Sequence, residues 1–144
     1  AAAGVFSYML SSLFITQSIA EWIGTLDVNR WVLMGAVNLF LLIAGVFLPP
    51  VAVIVMAAPI LLPIITSAGF DPIWFAVVLT INMEIGLISP PVGLNLYVIN
   101  GIAPDIALKT ILEGSLPFVA CMVLAIVILY FLYGNEDSKA FFEA

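Results

Sequence analysis

The sequence predicts an all-α polytopic membrane protein, and three observations carry that prediction. The chain is 65% hydrophobic and 8% charged, against roughly 25% charged residues in ordinary soluble domains, and its mean hydropathy is +1.29. Its apolar runs reach the length of about 20 residues that a helix needs to cross a hydrocarbon core. Two of these runs are interrupted by a glycine and a proline pair. In lipid such an interruption is tolerated only where it is buried in protein or lines a cavity.

Taken in order, residues 1–30 hold a spanning helix and a polar turn. The run GVFSYMLSSLFITQSIAEWI, residues 4–23, is long enough to cross the bilayer. Ser7, Ser11 and Ser18 fall near one face, where small hydroxyl residues let a neighbouring helix approach. Trp22 and Trp31 bracket the turn GTLDVN as interfacial aromatics. The start AAAGVF has neither a basic n-region nor a cleavage site after a short apolar core. No signal peptide is therefore expected, and the chain reads as the end piece of a larger protein.

Residues 31–70 form the second unit. No residue from Trp31 to Phe70 is charged, and a single helix of that length would run roughly 60 Å, twice the bilayer core. The run must turn back at its first punctuation, Gly45, Pro49 and Pro50. Two full spans or a re-entrant hairpin both satisfy this. The arms Trp31 to Ala44 and Val51 to Ile65 would measure only about 21 and 22 Å, and the turn GVFLPP offers nothing to water, which favours the re-entrant hairpin. Pro59 and Pro63 predict a bend in its second arm.

Residues 71–109 form a broken helix and a polar connection. Ile73 to Ser89 is apolar apart from Thr80, Asn82, Glu84 and the closing Ser89; Pro90, Pro91 and Gly93 then interrupt it, and Leu94 to Ile102 continue as a short second half. Residues 110–144 comprise the last span, Thr110 to Tyr133, and an acidic tail, GNEDSKAFFEA.

The two interruptions share a pattern. Gly45 to Pro50 reads GVFLPP and Gly86 to Pro91 reads GLISPP. Proline has no N–H and displaces the carbonyl four residues back, so Pro49 frees the carbonyl of Gly45 and Pro90 that of Gly86. Glycine leaves each freed oxygen open to close approach. Facing each other, the two breaks would offer carbonyl oxygens and the Ser89 hydroxyl to a cation such as Na⁺. The half-helix after each break would turn its N-terminal N–H groups toward an anionic substrate. Glu84, deep in an apolar run, reads equally as an ion- or proton-exchanging carboxylate and as a structural acceptor near the break. Asn95 reads either as an amide donor to a substrate carboxylate or as a tie between break and hairpin. Asn38 reads as a polar packing contact.

Several classes are excluded. Nine acids against three bases, for a net charge of −6, leave no electrostatic footprint for nucleic acid. With no histidine and one cysteine, Cys121, no zinc, haem or Cys–His catalytic site is expected, and any metal should be a hard cation held by oxygens. An intramembrane hydrolase using Ser89 would lack a basic partner and a G-x-S-x-G turn; the chain is expected not to be an enzyme. A proton-coupled carrier using Glu84 and a purely structural membrane subunit remain as alternatives.

The run from Ser89 to Ala103, SPPVGLNLYVINGIA, closely resembles the signature of the large membrane subunit of TRAP (tripartite ATP-independent periplasmic) transporters, in which Ser or Thr precedes PPVGLN. INMEIGL, PVAVIVMAAPILLP at residues 50–63, and Leu116-Pro117 are also similar to that family. The resemblance covers almost the whole chain. It implies the second inverted repeat of an elevator-type, Na⁺-coupled importer of small organic acid anions (a C4-dicarboxylate, sialic acid or similar), in a bacterial inner membrane. The implied partners are a small membrane subunit and a periplasmic substrate-binding protein; the implied coupling ion is Na⁺, with no organic cofactor. On this mapping the sodium site falls on Gly45, Gly86, Ser89 and Val92, where Val92 enters through the resemblance alone and acts by its backbone. The candidate substrate contacts are Phe47, Pro49, Pro90, Pro91, Gly93 and Asn95. Some relatives carry an acidic residue at the hairpin tip where this chain has Pro49, so the tip does not define the substrate class. The implied topology opens the hairpin toward the periplasm and puts the Ala103 to Lys109 connection in the cytoplasm.

Overall fold

A computed structural model of the protein describes Val5, Met9, Ser18, Glu21 and residues 29–134. The span expected over residues 4–23 lies outside the described residues except at those four helical positions, and the acidic tail lies outside them altogether. Residues 29–134 form five helices: α1 (Arg30–Phe47), α2 (Pro50–Ser67), α3 (Pro72–Ile88), α4 (Leu94–Ile102) and α5 (Leu108–Gly134).

Local chemistry sets where these helices start. Asn29 caps α1, its side chain accepting from the N–H of Trp31 at 3.0 Å. Asp71 caps α3 by accepting from Trp74 N–H at 2.8 Å, which satisfies one of the unpaired donors of the first turn. Pro50 and Pro72 each occupy the first helical position, where a missing N–H costs nothing.

The hairpin turn is much tighter than expected. Instead of six residues, only Leu48 and Pro49 lie between α1 and α2. A proline disturbs the carbonyl one turn behind it and the conformation of the residue just before it. Gly45, Val46 and Phe47 precede that point and stay helical, and Leu48 N–H still donates to the Ala44 carbonyl at 2.8 Å. Each arm therefore has 18 residues, about 27 Å rather than the expected 21 and 22 Å. Both arms and α5 are long and apolar enough to cross a membrane, while α3 is apolar but one residue shorter than either arm. Helix α2 continues through Pro59 and Pro63.

Helix α3 is the centre of the packing and touches all four other helices. It buries Trp74, Phe75, Val78, Leu79, Asn82, Met83, Ile85 and Gly86. Helix α1 lays a single stripe against it, Met34, Val37, Leu41 and Gly45, at the i, i+3, i+7, i+11 spacing of one helical face. At the base of the hairpin an aromatic cluster ties three helix ends together. Trp74 stacks on Tyr133 with ring centroids 4.5 Å apart and on Phe70 at 5.6 Å, and meets Tyr130 edge-on at 5.2 Å. Trp31 meets Phe70 edge-on at 5.4 Å. The polar tips are satisfied as well: Asp71 N–H donates to the Tyr133 hydroxyl at 2.8 Å, and Trp74 Nε1 donates to the Leu129 carbonyl at 3.3 Å.

Trp74 is 0% exposed, so Trp74→Ala empties the centre of this cluster. The expected loss is about 3–5 kcal/mol of stability, measured as a lower melting temperature of the detergent-solubilised full transporter.

Candidate functional site

The site is built from two proline-defined breaks that the fold brings together. Leu48 (φ −117°, ψ 147°) and Ser89 (φ −106°, ψ 142°) are both extended, the conformation forced on a residue that precedes proline. Each follows a helix whose third-from-last carbonyl, that of Gly45 or Gly86, has lost its donor to a proline. Gly93 then opens α4 from the left-handed region, φ 47° and ψ 64°, where a Cβ is strained.

The decisive contact lies between Gly45 and Gly86. A Cβ built on Gly86 would lie 2.3 Å from the Gly45 carbonyl oxygen, 2.4 Å from its carbon and 2.9 Å from Val46 N. No side chain fits there. The Gly45 oxygen therefore rests against the Gly86 backbone, in the direction of a Cα–H, as weak C–H···O contacts do. The reverse position is looser: a Cβ on Gly45 would meet the flexible end of Met83 at 3.1 Å.

Beside this contact is a cavity of about 230 Å³. From the tip it is lined by residues 45–49, and from the break by Gly86, Leu87, Val92 and Leu94. Of the expected sodium-site residues, Gly45, Gly86 and Val92 border it; Ser89 is half-buried and does not. Of the expected substrate contacts, Phe47 and Pro49 border it. Pro90, Pro91 and Asn95 are exposed and Gly93 is buried, all four outside the lining.

Among the described residues, no charged residue lines this cavity. Glu84 is exposed; two residues before Gly86, it points about 200° around the helix from it. It shares an exposed face of α3 with Ile73, Val77 and Thr80. What the breaks present is backbone oxygen: Pro90 and Pro91 withhold N–H groups from the carbonyls of Gly86 and Leu87. Such neutral oxygens suit a hard monovalent cation and exclude thiolate- or imidazole-seeking metals.

Two further features carried no recognisable signal in the sequence. Ser115 on α5 shares its hydroxyl proton between the Leu112 carbonyl at 2.8 Å and the longer contact to Ile88, the last carbonyl of α3, at 3.3 Å. It thereby steadies the break from behind. Val46, Leu48 and Leu94 complete the cavity wall, and aliphatic residues in an apolar run look alike until the fold chooses among them.

Gly86→Ala is expected to push the hairpin tip off the break and Gly45→Ala to do so much less. Thiol labelling of Leu48→Cys in the full transporter measures it: labelling should accelerate clearly in the Gly86 variant and little in the Gly45 variant.

Over residues 1–134 the chain matches the family described as "Tripartite ATP-independent periplasmic transporter, DctM component". It is 39% identical over 130 residues to the C4-dicarboxylate TRAP transporter large permease protein of Pseudomonas aeruginosa, which covers 90% of this chain and 30% of that protein. To the sialic acid TRAP transporter large permease of Vibrio cholerae it is 33% identical over 128 residues, 88% of this chain and 30% of the relative. To the isethionate TRAP transporter permease of Oleidesulfovibrio alaskensis it is 32% identical over 126 residues, 88% of this chain and 20% of the relative. The chain thus spans less than a third of the length of these relatives.

Proposed function

The chain belongs to the DctM family of TRAP transporter large permeases, and from that premise we propose that it forms part of a membrane permease importing a small organic acid anion together with Na⁺. The observation that carries the ion reading is the Gly45–Gly86 contact, with freed carbonyls and a charge-free cavity beside it. In this reading Na⁺ binds backbone oxygens around Gly45, Gly86 and Val92, with Ser89 supplying its hydroxyl. The anion lies next to it, between the tip at Phe47 and Pro49 and the start of α4, where Gly93 and Asn95 present polar groups.

The same reading assigns the architecture. Arms of 18 residues are long enough to span, so what supports a re-entrant hairpin of α1 and α2 in this reading is the apolar turn, which offers nothing to water, and its contact with the break between α3 and α4, the halves of a broken spanning helix. Together with α5 they make up the second of two inverted repeats in an elevator-type carrier of the bacterial inner membrane. A small membrane subunit and a periplasmic binding protein complete the system. The relatives named above carry C4-dicarboxylate, sialic acid and isethionate in their names; all three are anions, which supports the substrate class without selecting among its members.

The test is substrate uptake by the full transporter in proteoliposomes, with Na⁺ and pH gradients imposed separately. Uptake should follow the Na⁺ gradient. Ser89→Ala should raise the half-saturating Na⁺ concentration by about threefold or more, as loss of one oxygen ligand implies, at unchanged protein level. Uptake that follows the pH gradient and ignores Na⁺ would overturn the reading and move attention to Glu84.

A further inference from the structure

Asn82, in the middle of α3, is the one polar side chain fully buried among the described residues, at 0% exposure. Its Nδ2 donates to Asn38 Oδ1 on α1 and to the Val78 carbonyl at 2.9 Å. A carbonyl only accepts, so Val78 fixes which end of the amide faces it. Both N–H groups are spent, and Asn82 Oδ1 is left buried without a partner. An amide held in an apolar helix interface with one end unsatisfied is costly, and two aliphatic residues would pack there without that cost.

Its position suggests what it is for. Asn38 meets Asn82 and, further along both helices, Gly45 meets Gly86, so α1 and α3 run in the same direction. The amide bridge lies four residues before the glycine contact on α3 and seven before it on α1, about one turn and two turns respectively. Two glycines carry no side-chain ridge to interlock, and the aliphatic stripe of Met34, Val37 and Leu41 beside them makes non-directional contacts that do not by themselves select one register. A directional side-chain bond does.

We propose that Asn38 and Asn82 are positioning residues: their amide bridge sets the axial register of α1 on α3 and so holds the hairpin tip at the height on the helix break that ion binding requires. The proposal rests on the Na⁺ reading for its functional consequence and on the geometry alone for the register itself.

The test uses the full transporter in proteoliposomes with Asn38→Ala, Asn82→Ala and the double variant. Each single change should raise the half-saturating Na⁺ concentration by about five- to tenfold, the range of one hydrogen bond. Maximal uptake at saturating Na⁺ should stay within about twofold, and the double variant should do no more than either single one, because both remove one shared interaction. Asn38→Asp, which keeps an oxygen facing Asn82 Nδ2, should restore most of the Na⁺ response. Effects that multiply in the double variant, or a loss of folded protein with unchanged half-saturating Na⁺, overturn the proposal. If Asn82→Ala does not fold, Asn38→Ala with its Asp rescue decides the matter, since Asn38 is only half-buried. Should wild-type uptake ignore Na⁺, the ion reading fails by itself. The register is then judged by thiol labelling of Leu48→Cys in a cysteine-free background: faster labelling in Asn38→Ala supports it, and an unchanged rate overturns it.

Discussion

The carbonyl oxygen of Gly45 occupies the place where a side chain on Gly86 would begin, and the architecture around the site depends on that approach. Two helices come this close only where Gly86 lacks a Cβ, while Gly45 is crowded by no more than the flexible end of Met83. The same two glycines lie four residues before Pro49 and Pro90, so the prolines that end their helices also strip their carbonyls of donors. Close approach and freed oxygen are thus two results of one short pattern, used twice. Neither break would be stable alone at membrane depth, because the unpaired oxygens of each need a polar or protein surface opposite them.

A backbone contact of this kind holds nothing in place laterally, so the rest of the unit supplies the restraint. At one end the rings of Trp31, Phe70, Trp74, Tyr130 and Tyr133 join the base of the hairpin to α3 and α5. Midway, Met34, Val37 and Leu41 fill the seam between α1 and α3, with the Asn38–Asn82 bond among them. At the other end the seam runs out into glycine, and the tip stands exposed, Phe47 at 60% and Leu48 at 46%. Burial therefore declines from the aromatic base toward the tip, where the close glycine contact remains.

Much of this was legible from the residues. Helix α4 has the expected limits, Leu94 to Ile102, because a proline pair with a glycine on one side and a polar connection on the other leave no other choice. The facing of the two Gly-x-x-x-Pro-Pro segments also followed from their shared need for a partner. The turn length did not, because a proline acts backward on a carbonyl and on one neighbour while the residues between, Gly45 to Phe47, remain helical. Helix α5 starts at Leu108, two residues before the expected Thr110, because the Ala107 carbonyl accepts from Thr110 and Ile111 and opens the helix earlier. Asn38 and Asn82 were both visible as polar residues in uncharged runs. That they bond each other was not, since 44 residues of intervening sequence carry no record of helix register. The rest of the cavity wall was hidden for a different reason: Val46, Leu48 and Leu94 differ from their neighbours only in the direction they face.

The neutrality of the cavity bears on how an ion and an anion could be coupled in the proposed carrier. A cation held by neutral oxygens alone brings an uncompensated positive charge into a low-dielectric region, and a lone charge there is expensive. Glu84, the carboxylate nearest in sequence to Gly86, faces the other side of α3 and does not offset it locally. An anion without the cation meets the same difficulty with opposite sign. Bound together, side by side, each lowers the cost of the other, and the attraction is larger because the surroundings are apolar. The absence of charge in the lining is then the feature that makes joint occupancy more favourable than either partial one, and a fixed carboxylate at the tip, in place of Pro49, would weaken that dependence by supplying a permanent counter-charge.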